Sequence, residues 1–393
     1  MLPRGLAAVA GRLTRLVPER LLVRVLPRRL RYDPRALAVA SPPHTPTRLF
    51  IGPVNFAGQG WQWARAAERL PGVGAVSMAY RIGTEFGYEV DQGVPASAYV
   101  FSRSWQAAQL DAVRSGFTHV MVEAERRLFG RVYDQTVEQQ VRGLVDAGLA
   151  VSMLAHGSDI RLPSRHAAEH SDSPFADASW DQVAVFERQA SENLALLRRL
   201  GLPVFVSTLG LLSDVPDAGW LPVVVDVEAW GGGDPPLTRA RPVVAHAPSS
   251  GRMKGSDLVD PALTRLHDQG AIEYVRVSGV AAASMPDVYR NADIVLDQFR
   301  LGDYGVAACE ALAAGRVVVG HVSPAVREAV LVRTGRSLPV VESRGADIEH
   351  TLTDILADPD RARAIAEEGA AFVREVHDGR KSADAMRGFL ASG

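Results

Sequence analysis

The stretch Ala292–Gly320, ADIVLDQFRLGDYGVAACEALAAGRVVVG, decides the fold. Asp293 to Leu296 reads as a short buried strand. A loop with Gly302 and Gly305 follows, then an Ala-rich helix from Val306 to Ala314, with Gly315 suited to stop it. Val317 to Val319 is the next buried strand. Strand, glycine loop, helix and strand make one βαβ unit, and its loop lies where open α/β sheets take ligands. Helix-start amides at such a loop favour an anion. Glu310 sits about one turn into the helix. Its carboxylate can accept hydrogen bonds from a ribose or hexose diol, although the position also suits a solvated helix residue.

Working outward, the 393 residues are 47% hydrophobic and 22% charged, enough for two domains of ordinary size. A net charge of −2 gives no global electrostatic case for a nucleic-acid partner. The single cysteine, Cys309, excludes an intrachain disulfide and a multi-cysteine zinc site, and reads as a small core residue. No run reaches the length of a membrane span. Arg replaces Lys everywhere except at Lys254 and Lys381, so a retained Lys invites a specific reason.

Residues 1–40 form a basic amphipathic N-terminal segment, with eight Arg among residues 1–31. Such a segment can lie on an anionic membrane surface or pack on the protein body. Ser41–Thr47, SPPHTPT, reads as a linker. Residues 41–230 then alternate strands and helices as a parallel sheet covered on both faces requires. Strands are expected at 48–51, 75–78, 98–101, 119–122, 149–154 and 203–207. The first loop, GPVNFAGQG, is neither a Walker A loop nor a G-x-G-x-x-G fingerprint. It offers Asn55, Gly58 and Gln59 as polar tips. Glu123 and Glu125 follow the fourth strand. His156-Gly-Ser-Asp159-Ile-Arg161 follows the fifth, and its Asp and Arg can brace each other or grip a phosphate. Residues 164–180 read as a long polar loop. A hinge is expected at 231–240, a second domain at 241–378, and a last helix within 379–393. In the second domain, strand 242–245 runs into HAPSSGRMKGSD. There Arg252 and Lys254 stand in a Gly/Ser-rich turn ahead of a helix, a suitable place for a diphosphate. Met285, Val288 and Tyr289 could pack near a base, and a last strand is expected near 337–341.

Gly302–Val319, GDYGVAACEALAAGRVVV, resembles the donor-domain signature of retaining GT-B glycosyltransferases, E-G-F-G-x-x-x-x-E-A-x-A-x-G-x-P-V-V. Tyr304, Gly305, Glu310, Ala311, Ala313 and Gly315 fit. The first carboxylate of the family's Glu-x7-Glu pair falls on Gly302, with Asp303 adjacent and Asp297 and Gln298 just upstream. HGSDIR and the Arg-and-Lys-Gly loop resemble segments of the same family, although the family's Arg lies further ahead of the Lys. The resemblance implies two Rossmann-like domains facing a cleft and metal-independent sugar transfer with retention. The partners would be a nucleotide sugar and a glycan, lipid-linked or small-molecule acceptor, with no cofactor. It implies His156, Asp303 and Glu310 in catalysis. Donor contacts would come from Arg252, Lys254, Gly302, Tyr304, Gly305 and Glu310, and the cleft loops from Asn55, Gly58, Gln59, Asp159 and Arg161. Cytoplasmic placement, with residues 1–31 able to touch the membrane's inner face, is the matching expectation. A sugar-nucleotide epimerase and an inactive sugar-nucleotide-binding subunit remain alternatives.

Overall fold

The computed structural model describes residues 18–82, 87–177 and 179–392. Among them, two parallel sheets form, each wrapped by helices. The first contains β1 (Thr47–Gly52), β2 (Val73–Arg81), β3 (Gln92–Pro95), β4 (His119–Glu123), β5 (Ala150–Ala155), β6 (Val204–Val206) and β7 (Gly219–Trp220), in the order 3-2-1-4-5-6-7. The second contains β8 (Val243–His246), β9 (Glu273–Arg276), β10 (Ile294–Leu296), β11 (Val317–Gly320) and β12 (Val341–Glu342), in the order 12-11-10-8-9. Both are doubly wound orders, and each reverses once: between β1 and β4, and between β8 and β10. At such a reversal the outgoing loops diverge and leave a crevice. The central strands are buried on both faces, which explains their unbroken apolar runs.

Three expectations need correction. Residues 96–101 are a helix, Ala96–Phe101, rather than a strand. Its short apolar run fits either state, and Ser102 caps the following helix Arg103–Gly116 through the Trp105 amide, so the chain stays helical there. The last strand is displaced to Val341–Glu342, where it pairs with the end of β11. The segment 164–180 contains a helix, Pro163–Glu169, with Pro at its start.

The basic start of the chain falls partly outside the described residues, which begin at Pro18. From there it lies on the first domain: Leu22, Tyr32 and Ala40 are buried, and Glu19 accepts hydrogen bonds from Ser104. The Pro-rich stretch is fitted to the sheet edge, with Pro43 over Gly74 and Pro42 over Gly116, where an added Cβ would lie 2.6–2.8 Å away. No described helix is long and apolar enough to cross a membrane.

The chain crosses between domains twice, and the crossings are pinned together. The Val225 amide donates to the His377 carbonyl at 2.8 Å, and His377 Nδ1 lies 2.8 Å from the Val223 carbonyl. Burial lowers the His377 pKa to about 4, so the ring is neutral and Nδ1–H donates. Beyond this point the helix Arg380–Leu390 packs on the first domain against the helix Gln59–Ala67. Its Phe389 is buried beside His119 and Phe205. Truncating such a ring to Ala costs about 3–5 kcal/mol.

Candidate active site

The reversal in the second sheet builds the site. β8 and β10 pair in register with Leu296 opposite His246, so the loops leaving their carboxyl ends start side by side. That juxtaposition brings Lys254 Nζ to 2.5 Å from Asp297 Oδ1, across 43 residues of chain. The Lys254 carbonyl also accepts the Phe299 amide at 2.9 Å, which ties the two loops together. Gly255 turns the chain into the helix Ser256–Asp268 at φ +75°, a conformation that suits glycine.

A cavity of about 510 Å³ opens above this pair. Part of its lining is apolar, from Val277, Val280, Met285 and the buried Tyr289. Its polar lining includes Lys254, Ser249 and Glu310. Val306 and Ala307 line it as well, so the first turn of the helix Val306–Ala313 faces the cavity. No side chain caps that helix, and its first amides are left for a ligand. Ala57 and Tyr88 of the first domain close the far wall. Burial pushes the Glu310 carboxyl up to about 8, with Asp297 adding to the rise and Lys254 opposing it. Near neutral pH Glu310 is therefore mostly protonated, with one hydroxyl donor and a carbonyl acceptor.

Of the expected donor residues, Lys254 and Glu310 meet in this cavity, and Gly305 precedes the helix that faces it. Arg252 does not join them. Its guanidinium is exposed, pairs with Asp177 of the first domain at 2.5 Å and lies over the Trp180 ring. Gly302 lies outside this cavity, against His170, which would stand 2.8 Å from an added Cβ. Tyr304 is buried, with its hydroxyl 3.3 Å from His377 Nε2. Asp303 is also turned away from the cavity: its Oδ2 accepts from Arg161 Nη2 at 3.4 Å and from the Gly210 amide at 3.1 Å. Both partners belong to the first domain, so Arg161 and Asp303 form a buried interdomain tie. Beside it, His166 Nε2 lies 3.2 Å from the Leu301 carbonyl, and Ser173 Oγ lies 2.7 Å from Nδ1.

The first-domain loops are equally ordered by carboxylates. Glu123, fully buried at the end of β4, accepts the Val54 and Asn55 amides at 3.1 Å each. Asn55 is buried, accepts the Trp61 amide and donates to the Glu89 carbonyl. Gln59 exchanges two hydrogen bonds with the Val224 backbone. These two residues therefore hold the loop rather than tip it, and Gly58 (φ +73°) lies under Tyr88. The His156 ring sits between Phe56 and Trp63 with Nε2 3.2 Å from Glu123 Oε1. Asp159 accepts the His156 and Gly157 amides at 2.7 and 2.5 Å and so shapes the turn. Among the described residues, no group of three His, Cys, Asp or Glu side chains could hold a metal ion.

Sequence reasoning missed Asp297 as the partner of Lys254, Tyr88 as a wall of the cavity, and Gln298 as the organiser of the Gly302 loop. Gln298 donates to the Asp303 and His321 carbonyls and accepts the Leu301 amide. Its position next to Asp297 was the available signal.

Residues 256–388 match the family described as glycosyl transferase-like. No curated protein sequence matches the chain. Among solved structures, sucrose-phosphate synthase from Thermosynechococcus elongatus superposes with a TM-score of 0.57 at 11% identity, covering 88% of this chain and 99% of that one. HepE from Anabaena, solved with UDP and glucose, superposes at 0.55 and 11% identity, covering 89% of this chain and 100% of that one. A glycosyltransferase from Rickettsia africae gives 0.51 at 10% identity over 88% and 98%. The chain thus has the GT-B fold of glycosyltransferases, and its second domain matches the glycosyl transferase-like family.

Proposed function

We propose that this chain transfers a sugar from a nucleoside-diphosphate sugar, bound in the Lys254–Glu310 cavity, to an acceptor held by the first domain. The observation that carries this reading is one cavity lined by apolar side chains together with Lys254, Glu310 and the start of the helix Val306–Ala313. The apolar lining suits a base, and the Glu310 carboxyl suits a ribose diol. Lys254 and the free amides at Val306 and Ala307 suit the diphosphate. Negative charge grows on that diphosphate as the glycosidic bond breaks, so these groups stabilise the transition state more than the ground state. Asp297 acts as a positioning residue that holds the ammonium in place until the phosphate arrives. Because HepE was solved with UDP-glucose, UDP-sugars are the first donors to test.

In this reading the configuration at the anomeric carbon is retained, with the leaving phosphate helping to take the acceptor proton, and no metal is required. The nearness of His156 Nε2 to Glu123 Oε1, 3.2 Å apart but not hydrogen-bonded, favours a second reading. A histidine beside a carboxylate can serve as a general base, and a base behind the sugar would give inversion. Titrating the protein with UDP, then following UDP release from UDP-glucose with and without acceptor extracts, tests the function. Binding with acceptor-dependent release supports transfer. Interconversion of the bare nucleotide sugar points to an epimerase, and binding without turnover to an inactive subunit. Loss of activity in EDTA with recovery in manganese would overturn the metal-free element.

A further inference from the structure

A second cavity, of about 460 Å³, lies wholly within the first domain, beside the loop that follows β4. Tyr80 and Tyr99, stacked at 4.5 Å, form one wall, and Gln189 and Asn193 of the helix Val183–Leu200 form another. At its base is Glu125, only 5% exposed, with its carboxyl against that of Asp159. Ala124 and Glu125 hold φ of 55° and 51°, a costly conformation for residues with a Cβ. Strain of this kind gathers at functional sites. The rim carries Arg126, Arg127 and Arg131. Among the described residues none of these three has a carboxylate at ion-pair distance; Arg126 donates to the Tyr80 hydroxyl, and Arg127 Nε has no partner.

We infer that this crevice is a binding site for an anionic sugar, a hexose-sized ring carrying a phosphate or a carboxylate. The three arginines meet the anion, since a guanidinium matches both groups with paired N–H bonds. The hydroxyls meet Glu125, Asn193 and Gln189, and the tyrosine wall meets the ring. Burial, together with the charge of Asp159 and a hydrogen bond to it, raises the Glu125 carboxyl well above its usual range. The uncharged form is favoured, which weakens its repulsion of the ligand's charge. The volume lies within the range of small-molecule sites. The rim reaches the loop that borders the donor cavity: Arg126 lies over the Phe56 ring, and the adjacent Ala57 lines that cavity. If the transfer reading holds, the ligand taken here is an acidic acceptor, but binding itself needs no donor.

Saturation-transfer NMR and calorimetry on the intact protein, with no nucleotide present, test this with glucuronic acid, glucose 1-phosphate, glucose and inorganic phosphate. Both anionic sugars are expected to bind, with glucose and phosphate alone at least tenfold weaker. Arg126→Ala/Arg131→Ala, which alters exposed side chains, should cut anionic-sugar affinity at least tenfold with an unchanged melting temperature and unchanged UDP affinity. Glu125→Gln, which keeps the shape but offers different donors, should cut it at least threefold. Equal affinity for glucose, no binding of any sugar, binding of phosphate as tight as of glucose 1-phosphate, or full affinity in the double arginine variant would each overturn the inference.

Discussion

Lys254 and Asp297 meet at 2.5 Å because β8 and β10 are neighbours at the point where the strand order reverses. The pair makes Lys254 both a ligand-binding group and a structural partner, and the two roles are separable. Lys254→Met should lower UDP affinity at least tenfold. It should also lower folding stability by about 1.5–3 kcal/mol, the loss expected for a charge-assisted hydrogen bond. Adding Asp297→Asn should restore most of that stability, by removing the stranded carboxylate, and none of the UDP affinity. Chemical denaturation and calorimetry on the single and double variants check both halves. Recovered UDP binding in the double variant would remove Lys254 from the donor site.

Glu310 gives a pH signature. Its folded-state pKa of about 8 lies above the ordinary carboxyl value of 4.5. The fold therefore favours its protonated form. The associated stability is complete below about pH 4.5 and is lost as pH rises through 8. Glu310→Gln cannot ionise, so the wild-type melting temperature should fall relative to the variant between pH 5 and 9. The same variant should weaken UDP binding more than it slows turnover. Parallel melting curves across that range would contradict the protonated carboxyl.

His166 works in the opposite direction. Burial, with Arg161 adding to it, lowers its pKa to about 3 from 6.5. The neutral ring is favoured, so its stability is present above pH 6.5 and is lost as pH falls toward 3. Because the ring contacts Leu301 of the second domain, acidification should loosen the interface. His166→Gln should flatten the acid limb of the stability curve, read by thermal melting between pH 7 and 4.

Asp303 should behave as a tie rather than as a sugar ligand. Asp303→Ala leaves Arg161 buried without its partner, and breaking such a pair costs about 3–5 kcal/mol. The radius of gyration from small-angle scattering should rise while UDP affinity changes less than threefold. A large loss of UDP affinity in a variant with unchanged scattering would return Asp303 to the donor site.

Product stereochemistry separates the two readings of His156. Retention, read by NMR of the new linkage, is the expected result. In that case His156→Ala should leave the anomeric configuration unchanged. An inverted product would make the His156–Glu123 pair the base.

The sequence carried local order well and long-range partnership poorly. The helix bearing Glu310 and its flanking strands were legible from an Ala-rich run between two apolar ones. So was Lys254, which stands out in a chain that otherwise uses Arg. Arg252 shared the same turn, yet its direction is set by Asp177 and Trp180 of the other domain, which no local pattern encodes. Asp303 next to Gly302 suggested a substitute for a missing carboxylate. A neighbour in sequence points elsewhere once the loop turns at Gly302, and Arg161 receives it 142 residues away. The short apolar run at 96–101 misled because its length fits strand and helix alike.

The helix Arg380–Leu390 has a consequence for the order in which this protein is made. Its Ser382 hydroxyl donates to the Pro222 carbonyl at 2.8 Å, and the Ser392 carbonyl lies 3.0 Å from His119 Nε2, at the start of β4. Domains usually fold in the sequence in which they leave the ribosome. Here the first domain lacks part of its apolar cover until residues 380–392 exist. During synthesis, Phe205 and the face of the helix Gln59–Ala67 that meets the last helix stay open while the whole donor domain is translated. A nascent-chain folding assay should show the first domain reaching full protease resistance only after the last helix emerges.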